Sequence, residues 1–138
     1  MQYGRRMAKV IGLGGFFFKS KDGKKLGAWY RKNLGFDVQP WGGAVFSWEE
    51  KPQSAHERQT VWSPFAADTK HFAPSREPYM LNLIVDDLDA LLKKLRKAKV
   101  KIDAKGIEDS EYGRFAWVMD PEGRKLELWE PPLRKKRA

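Results

Sequence analysis

The stretch Met80-Leu81-Asn82-Leu83-Ile84-Val85-Asp86-Asp87-Leu88-Asp89-Ala90, continuing to Val100, decides the fold. Met80 to Val85 is apolar except for Asn82 and reads as a strand. Asp86-Asp87 offers a helix cap, because a short carboxylate can accept from the free N–H groups of a first turn. Leu88, Leu91, Leu92, Leu95 and Ala98 then recur on one helical face. Acids at the start and Lys93, Lys94, Arg96, Lys97 and Lys99 toward the end suit the helix dipole. The spacing predicts a strand, a tight cap and an amphipathic helix.

The same plan occurs earlier in the chain. Gly15 to Phe18 is an apolar run, Asp22 follows, and Leu26, Trp29, Tyr30 and Leu34 make a helical stripe that Gly35 stops. Gln59-Thr60-Val61-Trp62-Ser63-Pro64 aligns with Leu126-Glu127-Leu128-Trp129-Glu130-Pro131, sharing Trp and Pro in register. Strand-like pieces precede each: Phe36 to Val38 and Gly43 to Trp48, then Lys99 to Ile102 and Arg114 to Met119. Asp120-Pro121-Glu122-Gly123 is a turn with Pro and Gly at favoured places. Each half is expected to run strand, helix, three strands, an internal repeat of one supersecondary unit.

The expected organisation is an extension over residues 1–8 and a single domain over 9–132, followed by a basic tail over 133–138. Within the domain, module one covers about 9–64, a linker 65–78, and module two about 79–132. The fold class is α+β: two βαβββ modules whose curled mixed sheets enclose a shared cavity, the default place for a ligand.

Composition narrows function. The chain has 138 residues, 41% hydrophobic and 33% charged, with no cysteine. A chain of that length buries about two-thirds of its unfolded surface, so a real core is expected. Lack of cysteine excludes disulfide scaffolds, thiolate zinc sites and a cysteine nucleophile. No apolar run approaches the roughly 18 residues of a membrane span. Arg5-Arg6 before Val10 to Phe18 imitates a secretory leader but lacks its small-residue cleavage site, so the expected location is cytoplasmic. Net charge is +9, and removing Arg5, Arg6, Arg134, Lys135, Lys136 and Arg137 leaves +3. The basic excess sits mainly at the ends, where a solvated tail is the usual role, and nucleic acid is a disfavoured partner.

Two motifs fail on inspection. Gly12-Leu13-Gly14-Gly15 with Lys19-Ser20 imitates a phosphate loop, but Phe18 stands where its last glycine is needed. Neither His56 nor His71 belongs to a Ser-His-Asp arrangement.

The doubled plan, with Val85-Asp86-Asp87-Leu88-Asp89-Ala90 opening the second helix and Asp120 to Leu128 closing the chain, resembles the vicinal oxygen chelate superfamily. That group holds glyoxalase I, the bleomycin-resistance proteins and the extradiol dioxygenases. The resemblance spans about residues 9–132. It implies one divalent metal held by His, Gln or Glu on the first and last strands of each half. By position those sites fall on Gly15, Thr60, Met80 and Glu127. Only Glu127 is an ordinary hard-metal ligand, and one carboxylate does not hold such an ion. No cofactor is therefore expected.

The same positions implied by the resemblance, with strand alternation, point Gly15 and Phe17, Thr60 and Trp62, Met80 and Asn82, and Glu127 and Trp129 into the cavity. Trp48, Tyr112 and Arg114 are secondary candidates. Phe17, Trp62, Met80 and Trp129 either line a pocket or fill it by packing together. An inward Glu127 between Leu126 and Leu128 requires a partner, a raised pKa or a ligand, and Arg114 or Lys125 could pair with it.

The leading expectation is a protein that takes a small organic ligand, neutral or anionic and aromatic, without a metal. It acts either as a binder or as an enzyme using Glu127 as general base. One alternative is a metal-dependent lyase, isomerase or dioxygenase with a rearranged ligand set including Glu127 and His71 or His56. Another is a basic accessory protein that contacts nucleic acid. The resemblance also implies a homodimer, since small members of that superfamily commonly pair, through an exposed sheet edge or a half-swapped assembly.

Overall fold

The computed structural model describes residues 8–48 and 58–133. His56 and the basic tail from residue 134 lie outside them. Strand β1 spans Val10–Ser20, helix α1 Gly23–Leu34, β2 Ala44–Ser47 and β3 Gln59–Ala66. Strand β4 spans Tyr79–Val85, helix α2 Leu88–Lys97, β5 Glu108–Ser110, β6 Gly113–Met119 and β7 Lys125–Glu130. One seven-stranded sheet has the order β2-β3-β1-β4-β7-β6-β5. β1 pairs with β3, and β4 with β7, in parallel, while β1 and β4 join the two halves antiparallel.

Both helices start where the carboxylates predict. Asp22 accepts from Lys25 N and Asp87 from Ala90 N, each at 3.1 Å. Gly35 ends α1 with φ 71°, a conformation glycine adopts without a Cβ penalty. The stripe of α2 packs Leu88, Leu91 and Leu92 onto Val85, Ala116, Val118 and Leu128, and this cluster is the main core. Helix α1 is covered less well: of its stripe, Trp29 and Leu34 are exposed. Its anchor is aromatic, with Tyr30 and Phe36 packing on Trp62 at ring separations of 4.6 and 5.1 Å.

Two strand expectations are corrected. Phe36–Val38 forms no strand, because Arg31 Nη2 donates to Val38 O at 2.6 Å and Phe36 turns its ring to Trp62. Those groups serve α1 and not a ladder. Lys99–Ile102 supplies only the bridge Ile102↔Val118. The strand beside β6 comes later, at β5, where Glu108, Asp109 and Ser110 pair with Phe115, Arg114 and Gly113.

Side chains from all seven strands line one cavity, including Val45 on one edge strand and Glu108 on the other. A flat seven-stranded sheet would hold its edges about 29 Å apart, so the sheet curls, with its helices outside and the cavity inside. No helix among the described residues is long and apolar enough to cross a membrane.

Candidate functional site

Alternation along β7 sends Lys125, Glu127 and Trp129 to the concave face, and Leu128 to the α2 core. Glu127 is thus carried by backbone geometry to the floor of a cavity of about 480 Å³, where it is only 5% exposed. Its neighbours across the ladders are Asn82 on β4 and Trp117 on β6. Both donate to it: Asn82 Nδ2 to Oε1 at 2.6 Å and Trp117 Nε1 to Oε2 at 2.8 Å. His71 Nε2 lies 3.4 Å from Oε2. The carboxylate is therefore gripped from both flanking strands by neutral N–H groups and faces one imidazole.

Neither basic side chain considered for it forms an ion pair with it. Arg114 lies on the opposite face of β6, since Phe115 and Trp117 take the inward positions. There its Nη1 reaches Asp89 at 2.6 Å and Glu130 at 3.9 Å, and its Nε reaches Asp109 at 3.1 Å. The guanidinium beside it holds the Asp89 carboxyl below the usual aspartate range. Lys125 Nζ donates to His71 O at 2.7 Å, and burial lowers its pKa. That bond ties β7 to the linker carrying His71. Phe65 stacks on the His71 ring at 5.6 Å, and Phe72 is buried with Met80 and Trp117.

Other candidates divide by strand phase. Phe17, Asn82, Tyr112 and Trp129 line the cavity. Trp129 Nε1 donates to Tyr112 O at 2.7 Å, which holds the exposed Tyr112 loop at the rim. Trp62 and Arg114 are corrected to the outer face, Trp62 against α1. Thr60 also misses the cavity, donating its hydroxyl to Leu13 O at 2.7 Å. Gln59, Val61 and Phe65 take the inward positions of β3. Met80 is fully buried beneath the wall and not on it. Trp48 contributes nothing to the lining; it stands over Gly12 with Arg58 against its ring.

Ladder registers give a symmetric quartet, of which Val61, Asn82 and Glu127 line the cavity while Gly15 lies against the Phe17 ring. Gly15 pairs with Val61 and Asn82 with Glu127, while Gly15 faces Asn82 across the junction of the halves. A divalent metal of the kind the fold resemblance implies does not fit these residues. Gly15 and Val61 offer no donor, and Asn82 turns its NH2 to Glu127. The buried Asn82 Oδ1 has no hydrogen-bond partner, but it lies against Gly14, where a Cβ would overlap it. Among the described residues no three His, Cys, Asp or Glu side chains gather.

Sequence reasoning missed Trp117, Phe115, Phe65, Gln59, Val61, Val45, Glu108 and Asp109 as lining residues. Phe115 and Trp117 had a usable signal, since they alternate on the strand before the closing turn.

No family model matches the sequence, and no curated protein is significantly similar to it. Solved structures do match. Methylmalonyl-CoA epimerase from Mycobacterium tuberculosis has a TM-score of 0.60 at 22% identity, covering 94% of each chain. A variant of the Streptomyces coelicolor methylmalonyl-CoA epimerase, in complex with 2-nitronate-propionyl-CoA, reaches 0.64 at 15% identity over 89% of this chain and 99% of that one. A glyoxalase/bleomycin resistance protein/dioxygenase superfamily member from Vibrio splendidus 12B01 gives 0.55 at 11% identity, over 88% and 99%. The chain has the vicinal oxygen chelate fold, the architecture of the glyoxalase/bleomycin resistance protein/dioxygenase superfamily.

Proposed function

We propose that this protein binds a small organic molecule in the aromatic cavity, with Glu127 as its polar anchor and without a divalent metal. The supporting observation is Glu127 itself. A carboxylate lies almost wholly buried in an apolar cavity with no Lys or Arg ion pair among the described residues, held by two neutral donors. Burying such a group is costly, and neutral hydrogen bonds offset only part of that cost. The volume, about 480 Å³, lies within the range of small-molecule sites. Ligand screening by thermal shift on wild type and Glu127→Ala tests this. Hits are expected to stabilise wild type, to lose at least about tenfold in affinity in the variant, and to be indifferent to EDTA. Hits that depend on added metal, or that ignore Glu127, overturn it.

A second reading is favoured by the 3.4 Å approach of His71 to Glu127. A carboxylate–imidazole pair at an apolar cavity can take a proton from a carbon beside a carbonyl and return it. The structural neighbours named as methylmalonyl-CoA epimerases share this fold. Deuterium uptake from D2O into a 2-methyl acyl thioester, abolished in Glu127→Ala, is the expected signature. Its absence across such thioesters leaves binding alone.

A further inference from the structure

The charges around the cavity point to a class of guest that the net charge of the chain does not suggest. Among the described residues its lining carries two inward carboxylates, Glu127 on the floor and Glu108 toward the rim, and neither a lysine nor an arginine, while the Asp109 side chain turns outward to Arg114 at 3.1 Å. Glu108 is balanced from outside by Lys105 at 3.5 Å. Glu127 forms no such ion pair among the described residues, although it and Lys125 on the same strand attract each other. The other walls are aromatic: Phe17, Phe65, Phe115, Trp129 and Trp117, the last already carrying Lys105 Nζ 4.0 Å from its ring centroid. Aromatic quadrupoles attract a cation within about 6 Å of the ring centroid, more strongly once water is excluded. An anion here would meet a buried carboxylate, with Lys125 turned to the His71 carbonyl and absent from the cavity lining.

We propose that the cavity selects an organic cation, an amine or ammonium group on an apolar body, with the charge beside Glu127 and the body against the aromatic walls. The inference rests on the reading of this cavity as a ligand site and adds the class of ligand. It reverses the neutral or anionic guest expected from the +9 total, because exposed charges more than about 8–10 Å away are screened by salt while a group in the cavity meets its lining directly. His71 is the one other side chain on the wall able to carry positive charge, and it approaches Glu127 on Oε2 alone. Oε1, which accepts only from Asn82, retains a lone pair for the guest.

Three probes of matched size test the proposal by calorimetric titration: 2-phenylethylamine, 2-phenylethanol and phenylacetate, each against wild type, Glu127→Gln and Phe115→Leu. In wild type the amine is expected to bind about tenfold tighter than the alcohol, and phenylacetate weakest. Glu127→Gln should bring amine and alcohol within about threefold of each other. Phe115→Leu keeps an apolar wall without the ring, so it should weaken the amine severalfold and leave the alcohol within about twofold. Should Glu127→Gln fail to fold, the order of the three probes in wild type and the Phe115→Leu comparison still decide. Equal affinities, or phenylacetate as the best guest, overturn the cation class and leave the cavity reading standing. A preference for the amine that survives Glu127→Gln overturns Glu127 as its source. No binding of any probe to wild type overturns both readings.

Discussion

Replacing Gly14 by alanine tests whether the floor of the cavity is as tightly coupled as its distances imply. A Cβ on Gly14 would overlap Asn82 Oδ1 and lie 2.9 Å from both Ile84 Cγ1 and Trp129 Cε3. None of these can retreat freely. Asn82 is only 1% exposed and is pinned by its 2.6 Å bond to Glu127, while Ile84 is fully buried. Overpacking of a core site costs about 1–3 kcal/mol. Turning Asn82 aside also breaks a hydrogen bond to a charged acceptor, worth about 1.5–3 kcal/mol. The sum is about 2.5–6 kcal/mol, which lowers Tm by about 9–20 °C for a chain this long. Urea unfolding of Gly14→Ala, Asn82→Ala and the double variant separates the terms. With Asn82 truncated the new methyl occupies vacated space, so Gly14→Ala should cost at least about 1.5 kcal/mol less than in wild type. A cost below about 1 kcal/mol, or the same cost in both backgrounds, would refute the coupling of Gly14, Asn82 and Glu127.

Three further outcomes follow from the packing and the charges. Leu92→Ala, in the α2 core, should cost about 2–5 kcal/mol, whereas Trp29→Ala, at a residue 53% exposed on α1, should cost under about 1 kcal/mol; chemical denaturation reads both. Arg114→Met removes the partner that keeps the Asp89 carboxyl below 3.8. A depressed carboxylate stabilises the fold above its unfolded pKa and loses that contribution as pH falls through the folded one. The difference in stability between wild type and variant should thus be constant near neutrality and close below pH 3.8. Lys125 is shifted the other way: burial lowers its pKa from 10.5, so the unfolded chain holds the proton more firmly. Wild-type stability measured relative to Lys125→Met should rise as pH climbs toward 10.5; a flat difference between pH 7 and 10 would contradict the burial of this amine.

What the amino-acid string disclosed follows physical periodicity closely. Asp22, Gly35 and Asp87 marked helix ends because capping is local, and the Leu88–Leu95 stripe announced the core because a helix repeats its face every few residues. Glu127 was readable from the position the resemblance implies together with the alternation of β7. Trp62 was assigned to the wrong face because the Trp-Pro match aligned the halves one residue out, Thr60 with Glu127 where the ladders align Val61. Register shifts in β1 between Val10 and Gly12 and between Leu13 and Gly15 add to the difficulty, because each breaks the count on which alternation depends. A one-residue slip moves every side chain of a strand to the other face. Strand β5, three exposed residues without an apolar one, has no hydrophobic signal to read. His71 belongs to a linker without periodicity, and its place beside Glu127 depends on Phe72 burying itself under Met80 and on Lys125 taking the His71 carbonyl. The Lys125 bond joins residues 54 positions apart in the chain.

The quartet at the cavity floor implies a division of labour between the two repeats. Where the second repeat sets Asn82 and Glu127 side by side, the first sets Gly15 and Val61, groups that can shape a wall but not exchange a proton or hold a charge. The principal core is also concentrated in the second repeat, around Leu88, Leu92 and Leu128. The polar chemistry and most of the cohesion are therefore vested in one copy, and the other contributes mainly walls, together with the close packing at Gly14. Val45, Gln59 and Val61 can vary to recut the outline of the cavity without disturbing the anchor or the core. Such a chain can change what it admits by altering one half while the half that grips the guest stays constant.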